Sequence, residues 1–156
     1  RDQITVMGHS AGGHITQMMM GTKWAEFSAV LPADLVTAGI PISPLSYLEP
    51  VRLTEALNAG IGMTVAEAES QSPMVAHPPS TNASQLVAVG GNETEEFHRQ
   101  AQMYVDTFSS GDRSMEIYVV PDADHFDELN VLADLNSPFF SKTLDIVRST
   151  NMSERS

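Results

Sequence analysis

The chain has 156 residues, 42% of them hydrophobic, and a formal charge of −12 that comes from 20 acidic and 8 basic residues. This acidic balance excludes nucleic acids and anionic membranes as partners, because binding to phosphate requires clustered lysine and arginine. The absence of cysteine excludes disulfides, thiol catalysis and thiolate metal sites. Because no apolar run is long enough to cross a membrane, we expect a soluble chain. We also expect a cytoplasmic location, and one domain at residues 1–150 with a frayed tail at 151–156.

The first predicted elements are a strand and a helix joined by a Gly-x-Ser-x-Gly sequence. β-branched residues predict a strand at residues 4–7, and apolar residues at helical spacing predict a helix at 11–21. The sequence Gly-His-Ser-Ala-Gly at 8–12 is typical of a nucleophile elbow, a sharp turn that raises a serine hydroxyl above the sheet. Ser10 is therefore the candidate nucleophile.

The flanking residues of this elbow have predicted roles of their own. We expect that a Cβ atom at Gly8 or at Gly12 would collide with neighbouring backbone. The backbone N–H of Ala11 would lie at the positive end of the new helix, where it can stabilise a developing oxyanion. Ala11 is thus the candidate oxyanion donor.

A second strand and a long proline-rich segment follow. Residues 35–42 predict a strand, in which Pro41 marks either the end or an edge position. Residues 43–84 contain five prolines and two short helical pieces, near 51–58 and 65–69. A connection this long is unusual in a compact domain, so we interpret it as an excursion that caps the site, with a plain surface loop as the alternative.

Regular alternation returns in the second half of the chain. The apolar run at 86–89 predicts a buried strand, Thr94 is the expected N-cap of an amphipathic helix, and residues 115–120 predict the next strand. Helical patterning at 125–147 is interrupted at Pro138. This order indicates an α/β fold, a mostly parallel sheet with flanking helices.

Three polar residues follow three of the predicted strands. Ser10, Glu93 and His125 come after the first, third and fourth strands, and the carboxyl ends of parallel strands form the reactive edge of such a sheet. Their chain order, serine then acid then histidine, is the order expected for this fold. We assign Ser10 as nucleophile, His125 as general base and then acid, and Glu93 as the carboxylate that orients the imidazole.

Other acids compete with Glu93 for the orienting role. Three aspartates lie beside the candidate histidine: Asp122, Asp124 and Asp127. An immediate neighbour in an extended loop seldom folds back onto the imidazole, so we interpret these aspartates as turn and helix-start residues. Glu95 and Glu96 are explained by the helix dipole. Glu93 is therefore preferred.

Four further histidines are candidate bases or metal ligands: His9, His14, His77 and His98. The first two flank the elbow, where the neighbours of the serine point away from it, so they are expected to be structural or to line a pocket. The other two are expected on the surface or in a satisfied core. Because His9 and His14 lack a familiar metal-ligand spacing, we predict no metal site.

Three stretches of the chain resemble the alpha/beta-hydrolase superfamily, and more narrowly its kynurenine formamidase (arylformamidase) and related esterase branch. They are Gly-His-Ser-Ala-Gly-Gly-His at 8–14, Val-Gly-Gly-Asn-Glu-Thr-Glu-Glu-Phe-His-Arg-Gln at 89–100 and Asp-His-Phe-Asp at 124–127. The resemblance implies hydrolysis of N-formylkynurenine in tryptophan degradation, or of short-chain or aryl esters, without any cofactor. It also implies that Glu93 stands where formamidases usually carry aspartate.

The resemblance further implies a second oxyanion donor on an upstream His-Gly-Gly type loop, and further strands beyond residues 4–7. The four predicted strands would then lie side by side in chain order. We therefore expect this chain to be the C-terminal half of such a fold, with weak activity when isolated. The expected partner is a small ester or formamide, and homo-oligomers are left open. The alternatives are a broad short-chain carboxylesterase or deacetylase, and a truncated relic or binding module without turnover.

Overall fold

The computed structural model of the chain describes residues 4–152, with side chains described through residue 149. Its strands form one sheet and are β1 (Ile4–His9), β2 (Val36–Ile42), β3 (Ser84–Gly90) and β4 (Met115–Val120). They lie in the order β1-β2-β3-β4, and each neighbouring pair is parallel. The predicted fold class, a mostly parallel α/β sheet with flanking helices, is confirmed.

Helices follow or separate these strands. Those of the first half are α1 (Ala11–Gly21), α2 (Trp24–Phe27), α3 (Glu49–Leu53), α4 (Glu55–Ile61), α5 (Val65–Ser70) and α6 (Pro73–Ala76). Those of the second half are α7 (Glu95–Phe108), α8 (Asp127–Ala133) and α9 (Pro138–Met152). The predicted tail falls mostly outside the described residues, since 151 and 152 belong to α9 and 153–156 are not described. Within residues 4–152, every helix is too short or too polar to span a bilayer.

Several predicted bounds need correction. Strand β1 continues to His9, two residues beyond the predicted 4–7, and α2 was not predicted. The segment at 43–84 holds four short helices, α3 to α6, where two were expected. Pro41 is the penultimate residue of β2, which is a central strand, so its edge interpretation is wrong. Strands β2 and β3 pair at Gly39 and at Ile42 but not at the residues between them, where Pro41 has no N–H to donate.

The sheet is covered on both faces. On one face Ile40 and Leu86 pack with Phe139 of α9, and on the other Val87 packs with Tyr104 of α7. Each of these side chains is fully buried. Because successive strand residues point to opposite faces, the adjacent Leu86 and Val87 anchor helices on different sides of β3. This double packing fixes the carboxyl ends of the strands, where the candidate site lies.

Strand β1 lies at an edge of the described sheet and packs against α1. Among the described residues β1 pairs only with β2, and Met7 at this edge is 52% exposed. On the inner strand, Gly39 leaves room for Met20 of α1, because a Cβ there would lie 2.8 Å from the Met20 Sδ. Helix α1 therefore packs closely against β1 and β2, and its first turn is held over the end of the sheet.

Candidate active site

The turn between β1 and α1 is strained at Ser10. This residue has φ 57° and ψ −116°, a backbone conformation that is rare for a residue with a side chain. Its N–H donates to the carbonyl of Ile42 at 2.9 Å, and its carbonyl accepts from the N–H of His14 at 3.0 Å. The hydrogen bonds on either side hold the strained residue between β2 and the first turn of α1.

The glycines of the elbow have different functions. A Cβ on Gly8 would lie 2.3 Å from the carbonyl oxygen of Gly12, so any side chain there would force the turn apart. A Cβ on Gly12 itself would meet no atom within 4 Å, so the predicted collision at Gly12 is wrong. The second close approach is at Gly13, where a Cβ would lie 2.7 Å from the carbonyl oxygen of Ile42. Gly12 contributes its backbone position, and Gly13 permits contact with β2.

The structure brings together the three side chains that the sequence analysis selected. The hydroxyl of Ser10 lies 3.0 Å from Nε2 of His125, and Nδ1 of His125 lies 2.5 Å from Oε1 of Glu93. The Glu93 side chain is 1% exposed, whereas that of His125 is 25% exposed. The serine can donate to the imidazole, and the imidazole can donate to the carboxylate. The buried end of the arrangement is the acid, and the accessible end is the hydroxyl.

Backbone hydrogen bonds join the turn that carries Glu93 to the loop that carries His125. The N–H of Gly91 donates to the carbonyl of Val120 at 2.8 Å, and the N–H of Asn92 donates to the carbonyl of Ala123 at 2.9 Å. Within the turn, the N–H of Gly90 donates to Oε2 of Glu93 at 2.9 Å. A Cβ on Gly90 would lie 2.6 Å from a carbonyl oxygen of the facing loop, that of Ala123. Glycine at this position therefore lets the two segments approach closely enough for the acid to reach the histidine.

Aromatic and imidazole rings surround His125. Its ring centroid lies 4.5 Å from that of His9, 4.9 Å from that of Phe97 and 5.4 Å from that of Phe126. Nε2 of His9 donates to the carbonyl of His125 at 2.7 Å. Burial lowers the pKa of His9, which favours the neutral ring. His9 thus supports the backbone of the loop that carries His125.

The competing acids have other partners. Oδ1 of Asp124 accepts the N–H groups of Asp127 and Phe126, and these hydrogen bonds hold the pKa of Asp124 below its usual range. Asp122 occupies a turn with φ 58°, and Glu96 pairs with Arg99 at 2.6 Å. The aspartates beside the histidine therefore shape the turn and the start of α8.

The side chains of the remaining histidines have other surroundings. Nε2 of His14 donates to the carbonyl of Gln71, and Nε2 of His77 donates to the carbonyl of Ser70, both at 2.8 Å. Both contacts are made with the C-terminal end of α5. His14 therefore joins α1 to the helical segment, residues 43–84, which holds α3 to α6. His98 is half-buried on α7.

Sequence reasoning missed two residues that contact the predicted acid. The hydroxyl of Ser43 forms a short hydrogen bond with Oε2 of Glu93 and lies 2.7 Å from Oε1 of Glu128. Ser43 and Glu128 are completely buried. Ser43 directly follows β2 and therefore meets the same strand-end criterion that selected Ser10. Glu128 lies three residues before Val131 on a short helix, a spacing that places both on one face.

One set of potential metal ligands occurs among the described residues. Ligand atoms of His9, His125 and Glu128 all lie within 4.8 Å of one another. Both nitrogens of His125, however, are engaged by Glu93 and Ser10. A metal bound to His125 would have to replace one of these hydrogen bonds, so the geometry favours the hydrogen-bonded arrangement over a metal centre.

A mostly apolar cavity of about 310 Å³ lies beside the site. Phe97, which lines it, also packs against the ring of His125. The helical segment supplies most of the other apolar lining: Leu45, Pro50, Val51 and Leu57. The cavity can take an apolar group whose reacting end lies near His125.

Known proteins resemble the chain over most of its length. It is 31% identical over 140 residues to kynurenine formamidase from Salmo salar, and 29% identical over 141 residues to kynurenine formamidase from Danio rerio. The alignments cover 84% and 85% of this chain and 45% of each relative. The chain thus spans about half the length of the curated relatives it matches. No known family model matches it.

Solved structures share the fold. A candidate thioesterase from Silicibacter sp. TM1040 has 30% identity and a TM-score of 0.68, over 86% of this chain and 48% of that one. Esterase B from Lactobacillus rhamnosis has 14% identity and a TM-score of 0.64, over 99% of this chain and 54% of that one. Together with the formamidase similarity and the parallel sheet, these likenesses show that the chain belongs to the alpha/beta-hydrolase superfamily.

Proposed function

We propose that the chain carries the catalytic triad of a serine hydrolase, with Ser10 as nucleophile, His125 as general base and then acid, and Glu93 as the orienting acid. The observation that carries this proposal is the hydrogen-bonded series from the Ser10 hydroxyl through both nitrogens of His125 to Glu93. A serine hydroxyl needs a neutral imidazole to accept its proton, and a carboxylate on the other nitrogen selects the required tautomer.

The first half of the reaction forms an acyl-enzyme. Nε2 of His125 accepts the proton of Ser10 as Oγ attacks the carbonyl carbon of the substrate, and the carbonyl oxygen becomes an oxyanion. The intermediate collapses when the imidazolium gives its proton to the leaving amine or alkoxide. The acyl group then remains bonded to Oγ of Ser10.

The second half releases the acid. His125 takes a proton from water, the resulting hydroxide attacks the acyl carbon, and the imidazolium returns a proton to Oγ as the carboxylic acid leaves. The N–H of Ala11, in the first turn of α1, is the proposed oxyanion donor in both halves, because the first N–H groups of a helix have no intrahelical acceptor. The family resemblance implies a second donor from a His-Gly-Gly type loop.

The proposed substrate is an aryl formamide related to N-formylkynurenine. Support comes from the two formamidases that the chain resembles and from the apolar cavity beside Phe97, which suits an aryl group. In this proposal the helical segment at 43–84 acts as the cap that closes the cavity. A short-chain ester or thioester is the second candidate, because the candidate thioesterase shares 30% identity.

An active-site probe tests the nucleophile. A fluorophosphonate should label the full-length protein at Ser10, and Ser10→Ala should abolish labelling and lower kcat by up to about 10⁶-fold. Ser109→Ala, at an exposed serine after α7, is the matched control and should label normally. Labelling that persists in Ser10→Ala contradicts the assignment of the nucleophile.

A competition assay tests the substrate class. N-formylkynurenine and p-nitrophenyl acetate should be offered together, and we expect the formamide to be consumed with the higher kcat/KM. A preference for the ester would favour the carboxylesterase alternative. Absence of both turnover and Ser10 labelling would favour a binding module.

A further inference from the structure

A second buried acid lies behind the proposed triad. Glu128 of α8 and Ser43, at the end of β2, are both completely buried, and the hydroxyl of Ser43 lies between the carboxyl groups of Glu128 and Glu93. Two carboxylates that share one buried hydroxyl repel each other unless one of them is neutral. The protonation states of this group therefore bear on the triad acid.

The number of available protons shows that one of the two acids carries a proton. Ser43 has a single hydroxyl proton, and it can donate to Glu93 or to Glu128 but not to both. If both acids were ionised, Ser43 could donate to only one of them, and in the second contact an oxygen lone pair would face another lone pair. That second contact therefore requires a proton on one of the two carboxyl groups.

The partners of each acid show which one is neutral. Glu93 accepts from Ser43 and from the N–H of Gly90 on Oε2, and it faces Nδ1 of His125 with Oε1. A carboxylate with several donors is stabilised in its ionised form. Glu128 has fewer donors: the backbone of Gly90 lies near its carboxyl group, but its Oε2 is buried without a hydrogen-bond partner among the described residues.

We propose that Glu128 is a neutral carboxylic acid that donates its proton to Ser43, which donates in turn to Glu93, so that Ser43 and Glu128 are positioning residues for the triad acid. This inference rests on the proposed role of Glu93 in the triad. In the resulting series, the hydrogen bonds on both sides donate toward Glu93. Glu128 donates to Ser43 and Ser43 to Glu93, while Ser10 donates to His125 and His125 to Glu93.

The electrostatic environment agrees with this assignment. Burial raises the pKa of Glu128 to about 8, and the charge and side-chain contact of the neighbouring Glu93 add to the rise. Hydrogen bonds donated to Glu128 by Ser43 or by the Gly90 backbone would lower it, and the proposed reversal of the Ser43 hydrogen bond removes the first of these opposing contributions. The titratable groups facing Glu128 are Glu93 from the turn after β3, His125 from the loop after β4 and His9 from β1. On α9, which packs against α8, Lys142 pairs with Glu116, and the charged residues Asp145 and Arg148 are exposed.

The backbone holds Ser43 for this function. Ser43 has φ 41°, a conformation that is unfavourable for a residue with a side chain and persists where the surroundings enforce it. Its N–H donates to the carbonyl of Ala88 at 2.8 Å, which fixes the residue between β2 and β3. The hydroxyl is therefore placed by the sheet and not by a flexible loop.

This arrangement has two consequences for His125. The two donors on Oε2 fix the rotation of the Glu93 carboxylate so that Oε1 faces Nδ1. A neutral Glu128 also adds no second negative charge near His125. Such a charge would favour the imidazolium and reduce the fraction of His125 that can act as a base.

Kinetics of the full-length protein provide the first test. Ser43→Ala should lower kcat about tenfold with little change in KM, because the lost donor acts through Glu93 and not on the substrate. The acid limb of the kcat/KM profile should move to higher pH, since a less solvated Glu93 carboxylate stabilises the imidazolium more strongly. An unchanged kcat and pH profile would overturn the proposal.

A matched pair of variants tests the proton on Glu128. Glu128→Gln keeps a neutral group that can donate to Ser43, and it should retain most of the kcat that Glu128→Leu loses. If Glu128→Gln shows the larger loss of kcat, an ionised Glu128 is required and the proposal is wrong.

Infrared spectroscopy provides a readout that does not depend on turnover or on the fold of Glu128→Leu. At neutral pH, the carbonyl stretch of a protonated carboxylic acid should be present, should disappear in Glu128→Gln and should persist in Glu69→Gln, an exposed control on α5. Ser10 labelling without this band overturns the present inference alone. The band without Ser10 labelling overturns the proposed function and supports a neutral Glu128.

Discussion

The carboxyl edge of the sheet and the helical segment at 43–84, which holds α3 to α6, both border the candidate site, but they are held in different ways. At the edge, backbone hydrogen bonds connect the end of each strand with its neighbour. Ser10 donates to Ile42, Ser43 donates to Ala88, and Gly91 donates to Val120. The positions of the reactive groups thus follow from the geometry of parallel strands.

Side chains hold much of the helical segment. The backbone N–H of Tyr47 donates to Oε1 of Gln100, and the N–H of Leu48 donates to Oγ of Ser72, both at 2.8 Å. Its small core contains Leu48, Val51 and Ala68. Several large apolar side chains of α3 and α4 are exposed, namely Leu53, Leu57 and Ile61. The comparison indicates that the edge determines the chemistry, whereas the segment is suited to determine which substrate fits.

The largest predicted effect tests the edge through its acid. Glu93→Gln should lower kcat by about 10⁴-fold with little change in fold, because an amide in place of the carboxylate favours the wrong tautomer of His125. Asp124→Asn is the matched control, and it should change kcat by only a few-fold since Asp124 is bonded to backbone N–H groups. A greater loss in Asp124→Asn would show that the orienting acid is misassigned.

The next effect tests whether backbone approach really determines the elbow. Gly8→Ala should lower the free energy of unfolding by about 2–3 kcal/mol, because its Cβ meets backbone that cannot move without opening the turn. Gly12→Ala places a Cβ in open space and should be neutral or stabilising by up to about 1 kcal/mol. Thermal or denaturant unfolding of both variants provides the measurement. Equal losses would contradict the different functions assigned to the two glycines.

The contrast also explains what could be predicted from the sequence. The elbow and the third and fourth strands give local signals of period and turn chemistry, so Ser10, Glu93 and His125 could be selected from the order of residues alone. Ser43 satisfies the same strand-end rule, but Pro44 follows it directly, so the sequence pattern assigns Ser43 to the start of the proline-rich segment. Glu128 is one of several acids near a helix start, and composition cannot show which of them is buried.

The helical segment was less predictable for a physical reason. Helices of four to seven residues, such as α3, α4 and α6, complete one or two turns, so apolar periodicity is weak over their length. The neighbouring helix α5 has contacts at its C-terminal end that apolar periodicity does not show. The contacts of His14 and His77 with the end of α5 join residues that are 57 and 7 positions apart in the chain.

A moderate effect tests the helical segment as the determinant of substrate fit. Leu57→Ala should raise KM for an aryl formamide about threefold to tenfold with a smaller change in kcat, because it removes apolar surface from the cavity wall. Leu53→Ala is the matched control, since this leucine is also exposed on the neighbouring helix and does not line that cavity. Equal changes in KM would show that the segment does not contact the substrate.

The smallest effect concerns pH and the packing of the edge. Burial lowers the pKa of His9 below 6.5, so the unfolded chain takes up this proton first as the pH falls. The contribution of His9 to stability is constant above its unfolded pKa and decreases as the pH falls through that value towards the folded pKa. His9→Gln retains a donor for the carbonyl of His125 but cannot titrate. Urea unfolding at pH 8 and pH 5 should therefore show a smaller loss of stability in His9→Gln than in the wild type, and equal losses would show that the neutral ring is not required.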